Sequence, residues 1–120
     1  MMATQSFKQL LIWQKAHEFV LPVYKYTNSF LKTELYALTS QFRKSAISVA
    51  ANFAEGYKKK GKADKARFMN IAQGSIGECQ YYLILAKDPG HAENSLLINL
   101  LDEISKMLQS YITKILSSNS

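Results

Sequence analysis

Apolar residues return every three or four positions in four separate stretches of this chain, and that rhythm leaves little choice of fold. The first stretch, about residues 7–28, aligns Ile12, Ala16, Phe19, Val23, Tyr26 and then Phe30 on one face. The second, about 34–59, aligns Leu35, Leu38, Phe42, Ala46, Val49, Phe53 and Tyr57. The third, about 63–87, aligns Phe68, Ala72, Ser75, Cys79, Tyr82 and Ala86. The fourth, about 92–116, aligns Leu97, Leu101, Ile104, Leu108, Tyr111 and Ile115. Alternating steps of three and four are those of helices packed about 20° apart, and short connections make neighbours antiparallel. The fold class is therefore all-α: one domain over 1–120, an up-down-up-down four-helix bundle.

Punctuation agrees with this. Two prolines and five glycines in 120 residues are too few for an all-β chain, which turns every 8 to 12 positions or so. "DPGH", residues 88–91, stops the third helix, since Pro89 cannot continue it. Pro22 falls inside the first, where a kink or an interruption is expected. Extra apolar rows at Met69, Ile76 and Leu83, and at Ile98, Met107 and Ile112, look wider than a monomer's core needs. They lead us to expect a homo-oligomer that covers them.

The chemistry-bearing residues are sparse. A lone cysteine, Cys79, rules out an intrachain disulfide framework and suits a reducing, cytoplasmic setting. No secretory signal is evident at the start, and no run approaches 18 uninterrupted apolar residues, so no membrane association is expected. A di-iron bundle needs Glu-x-x-His motifs, whereas Glu18, Glu55, Glu78 and Glu103 are followed three residues later by Leu21, Lys58, Tyr81 and Lys106. No nucleophile elbow or phosphate-cradling glycine loop occurs. Neither a metal, a cofactor nor catalytic residues are expected, and the protein is not read as an enzyme. Glu55 and Glu78 are instead expected to form ion pairs between helices, Glu55 with Arg67 and Glu78 with Lys44 or Arg43.

Charge is the exception to this plainness. Residues 52–68 read "NFAEGYKKKGKADKARF", and from Lys58 to Arg67 six bases (Lys58, Lys59, Lys60, Lys62, Lys65, Arg67) face one acid, Asp64. That bend between the second and third helices holds +5 of the chain's net +6. Lysines at a helix C-terminus meet the negative end of its dipole, but capping does not call for six. Phosphate contact is the functional reading, so RNA or DNA is the expected partner, held by charge and shape rather than by base edges. The competing reading is a scaffold whose basic bend docks an acidic protein. Attachment to anionic lipid is weaker, because no apolar wedge accompanies the lysines.

The order of residues also resembles a known family. "LLIWQKAHEFVLPVY", "LTSQFRKSAISVAANFAEGY" and "RFMNIAQGSIGECQYYLILAKDPG" are similar to the four-helix-bundle proteins encoded in intervening sequences of bacterial 23S ribosomal RNA genes, also labelled S23 ribosomal proteins. The most specific match is a motif met by Gln41, Lys44, Ala46, Ser48, Asn52, Ala54, Glu55 and Gly56, joined by Gly74, Ser75 and Glu78 in the third helix. The resemblance spans about residues 7–91, with departures at Pro22, Leu31 and "DPGH". It implies a bundle that assembles as a homopentamer. It also implies a kinship to the basic pentameric accessory protein of diversity-generating retroelements, which binds nucleic acid and a reverse transcriptase. A reverse-transcriptase-like partner is thus a further expectation, while no biochemical activity is implied.

Overall fold

The computed structural model describes residues 6–32, 36–87 and 94–118. The turn at 88–91, the start of the second and fourth segments at Glu34 and Ala92, Leu35 and the side chain of Leu31 lie outside the described residues. Four helices form: α1 Leu11–Thr27, α2 Tyr36–Lys58, α3 Lys62–Lys87 and α4 Ser95–Ser117. They build a rod with extents of 53 × 24 × 21 Å, two helices wide in each short direction. Each helix packs on its two neighbours in the cyclic order α1, α2, α3, α4, most extensively α2 on α3. The four-helix bundle is thus the fold of this chain.

The first helix begins later than its apolar rhythm suggests. Residues Phe7–Gln9 form a separate 3-10 turn, closed by a capping box in which the Ser6 side chain accepts from Lys8 N–H and the Gln9 side chain accepts from Ser6 N–H. Leu10 is extended, so α1 starts after it. Pro22 lies within α1, which runs on through it to Thr27 and neither ends nor restarts there. A second 3-10 turn, Asn28–Lys32, leads away from its end.

The core is continuous along the rod. Phe19, Phe42, Phe53, Leu97, Leu101, Ile104 and Leu108 are buried, as the periodicity places them. Ile12, Tyr26, Tyr57, Tyr82 and Tyr111 pack at its margin. The extra apolar rows need correcting, however. Met69, Ile76, Leu83 and Ile112 are buried within a single chain, not left over for another, while Ile98 and Met107 are half-buried. α3 touches both α2 and α4, so its buried arc must be wider than a two-residue seam. The expectation of an oligomer therefore draws no support from the four buried residues.

Polar contacts fix the helices against one another. Ser105 Oγ donates to Gln73 Oε1 at 2.9 Å while Gln73 Nε2 donates to the Ser105 carbonyl at 2.9 Å, joining α3 to α4. Lys15 reaches Glu103 at 3.4 Å between α1 and α4. Among the described residues no buried side-chain nitrogen or oxygen lacks a partner. None of the described helices is long and apolar enough to cross a membrane.

Cys79 is buried on α3, and burial first, then the Glu78 carboxylate beside it, pushes its thiol from 9.0 up to about 12. A thiol reagent at about pH 8 should leave the folded chain unlabelled and modify it fully in denaturant. Rapid labelling under native conditions would contradict the burial. Above pH 9.0 the unfolded chain releases a proton that the folded chain still holds, so stability falls as pH rises toward about 12.

Candidate nucleic-acid interface

The basic bend forms where two helix ends need capping. α2 closes with Lys59 N–H on the Gly56 carbonyl at 3.1 Å, and α3 opens with Lys65 N–H on the Gly61 carbonyl at 3.0 Å. Gly61 thus stands at the N-cap of α3, with Asp64 in the first turn, where an acid suits the helix dipole. In an antiparallel bundle this end also receives the C-terminus of α4. The last carbonyls of α2 and α4, both at the negative end of a helix dipole, therefore lie beside the lysines.

The six bases divide accordingly. Lys65 Nζ donates to the Tyr57 carbonyl at 2.6 Å, and Lys62 Nζ donates to the Ser118 carbonyl, so these two cap α2 and α4. Lys59 pairs with Glu55 at 3.4 Å and Arg67 with Asp64 at 3.8 Å, each an exposed pair between residues one turn apart. Such pairs are worth little in water and exchange readily for another anion. Lys58 and Lys60 are exposed and reach no carboxylate among the described residues.

Tyr57 and Phe68, which flank the basic run, are half-buried rings already covered by cations. Lys65 lies 5.3 Å from the Tyr57 ring centre, and Lys59 and Arg67 lie 5.2 and 4.5 Å from that of Phe68. They hold lysine and arginine in place and leave little face for a base.

Two further bases that the sequence did not single out belong to this end. Lys8 follows Phe7, whose ring centre is 6.0 Å from Lys58 Nζ. Lys114 is in the last turn of α4, next to the Ser118 carbonyl that Lys62 caps. Both are exposed. With them the end holds eight bases against Glu55 and Asp64, which equals the whole +6 of the chain. The remaining seven bases and seven acids cancel. Bundle topology alone could have found this pair, because it returns the first and fourth segments to the bend.

The motif residues do other work. Ser48 Oγ and Ser75 Oγ share a 2.8 Å hydrogen bond between α2 and α3, and Asn52 Nδ2 donates to Ser48 Oγ at 2.8 Å and to its carbonyl at 2.9 Å. Ser45 Oγ donates to Glu78 Oε1 at 3.3 Å. Gly56 is buried where a Cβ would meet Phe68 Cβ at 2.8 Å, so the two helices approach too closely there for any side chain. Gln41, Lys44 and Gly74 are exposed.

The ion pairs expected for the two acids are corrected: Glu55 takes Lys59, four residues on and just past the end of α2, and Glu78 takes Ser45. Arg43 turns instead toward α1. Its Nε donates to Thr27 Oγ1 at 2.9 Å, and its Nη2 to Asn28 Oδ1 at 3.0 Å and the Tyr24 carbonyl at 3.3 Å. Among the described residues no cluster of three or more His, Cys, Asp or Glu could hold a metal ion.

Comparison with known proteins agrees with the fold. No curated protein matches the chain. A protein of unknown function from the S23 ribosomal protein family of Bacteroides thetaiotaomicron VPI-5482 superposes with a TM-score of 0.74 at 26% identity, over 85% of this chain and 98% of that one. The model of the family described as 23S rRNA-intervening sequence protein matches residues 8–110. With that match running from the first 3-10 turn almost to the end of α4, this chain belongs to the 23S rRNA-intervening sequence protein family.

Proposed function

We propose that the protein is a non-enzymatic RNA-binding bundle that grips backbone phosphates with its basic end. The supporting observation is the concentration of the entire net charge, +6, at one end of a 53 Å rod. Capping uses two of the eight bases there and leaves their charge in place. Lys8, Lys58, Lys60 and Lys114 stand exposed with no carboxylate partner among the described residues. Nothing at this end is shaped to read base edges, so binding follows charge and backbone geometry. The family description refers to an intervening sequence of a ribosomal RNA, so RNA is the polyanion we take as first candidate.

The test is retention of a folded RNA fragment titrated against salt. Replacing Lys8, Lys58, Lys60 and Lys114 together by glutamate should flatten the slope of log affinity against log salt by about 3–4, at roughly 0.7–0.9 for each phosphate no longer neutralised. Lys25→Glu, at the far end of α1, should leave the slope within one unit or so of wild type. Unchanged RNA retention by the fourfold variant would falsify the assignment. Binding of polyglutamate in preference to RNA would move the same end to the competing partner, an acidic protein.

A further inference from the structure

A second cationic surface lies near the other end of α2, where no sequence motif pointed to a ligand. A groove of about 470 Å³ opens between α1 and the start of α2, lined by Tyr24, Tyr36, Ser40, Arg43, Lys44 and Ile47 among others. Its volume is within the range of about 300–1,000 Å³ typical of small-ligand clefts. No described lining residue is acidic. Arg43 is held rigidly by its three hydrogen bonds to α1 and by the Tyr24 ring, 4.4 Å from its guanidinium carbon. Those bonds occupy Nε and Nη2, so Nη1 keeps two N–H donors without a partner among the described residues. Lys44 is exposed beside it and pairs with no carboxylate among them. Tyr36 is 66% exposed, with its ring against no other described ring or cation.

We propose that this groove binds unpaired nucleotides of single-stranded RNA. A base stacks on Tyr36, and its phosphate is met by Arg43 Nη1 and the Lys44 amine. A fixed guanidinium suits this, because its planar donors match a phosphate and little conformational freedom is lost on binding. Stacking on an exposed tyrosine tolerates any base, since every base has a π-face. Arg43 and Lys58 are fifteen residues apart on one helix, about 22 Å along its axis, so the groove and the basic end are separate sites. The groove stands or falls independently of the basic end.

The experiment uses the full chain and two fluorescent probes: a mixed-sequence single strand of about ten nucleotides, within the site sizes of about 4–16 common for such surfaces, and a duplex of the same length. Tyr36→Ala should weaken the single strand about fivefold or more and leave the duplex, whose bases stay stacked, unchanged. Tyr36→Phe should bind as wild type, because the ring and not the hydroxyl does the stacking. Lys44→Glu should weaken the single strand and flatten its salt slope by roughly 0.7. Both positions are exposed, so circular dichroism should show an unaltered fold. Equal single-strand affinity for Tyr36→Ala and wild type overturns the proposal. So does a Tyr36→Ala effect seen only as a change in sedimentation without RNA, which would assign the groove to a second copy of the chain. Loss of duplex binding in the basic-end variant, with single-strand stacking retained, separates the two sites.

Discussion

Phe42→Ala is expected to remove about 3–5 kcal/mol of stability. Phe42 is fully buried in α2, with Tyr82 of α3 at 5.7 Å between ring centres and Tyr26 of α1 at 6.5 Å, so three helices meet on one side chain. Truncation loses the transfer energy of the ring and leaves a cavity that helical backbones cannot close. Domains of this size have about 5–15 kcal/mol in all, so the variant should unfold at a much lower denaturant concentration or not fold at body temperature. Urea titration followed by circular dichroism gives the number. A loss below about 1 kcal/mol would show that the junction of α1, α2 and α3 collapses around the gap, contrary to tight packing there.

Gly56→Val should cost about 2–3 kcal/mol, because the new side chain must push α3 away. The clash begins at the Cβ: Phe68 Cβ lies 2.8 Å away, close to the backbone and unable to swing aside, whereas Met69 Cε, also at 2.8 Å, could move. Gly56→Ala sets the same clash against the alanine's helix preference of about 1 kcal/mol and should still be destabilising. Gly74 and Gly77 are the comparison, since a Cβ at either meets nothing within 4 Å. Alanine there should stabilise by about 0.5–1 kcal/mol. One substitution with opposite signs on two neighbouring helices is the signature of close approach. If Gly56→Ala stabilised the chain as much as Gly74→Ala, α2 and α3 would have to be free to part.

The helices and most of the core were legible because burial at a 3.6-residue period leaves its mark residue by residue. Phe19, Phe42, Leu101 and Leu108 needed no structure to be placed inside. Helix rotation is a finer quantity, and periodicity does not fix it. A turn of a few tens of degrees decides whether Arg43 faces α3 or α1, and it faces α1. The same freedom sent Glu55 to Lys59 and Glu78 to Ser45. The width of a buried stripe depends on how many neighbours a helix has, so Met69, Ile76 and Leu83 read as spare when they are core.

The charged bend was legible as composition but not as chemistry. Which lysines cap and which stay in water depends on where carbonyls such as those of Tyr57 and Ser118 fall in space. The groove beside Arg43 was not legible as a site, although Lys44 lies in the family motif, because Tyr24 and Lys44 become neighbours only through packing.

A rod 53 Å long with a net +6 at one tip, and other formal charges that sum to zero, carries a permanent electric dipole. The field of a polyanion turns such a body as well as pulling it, once the tip comes within a Debye length, about 8 Å at physiological ionic strength. Orientation then precedes touch: collisions that arrive sideways are rotated into tip-first ones. Added salt shortens the reach of that torque, so the speed of encounter should drop even between surfaces that fit equally well afterwards.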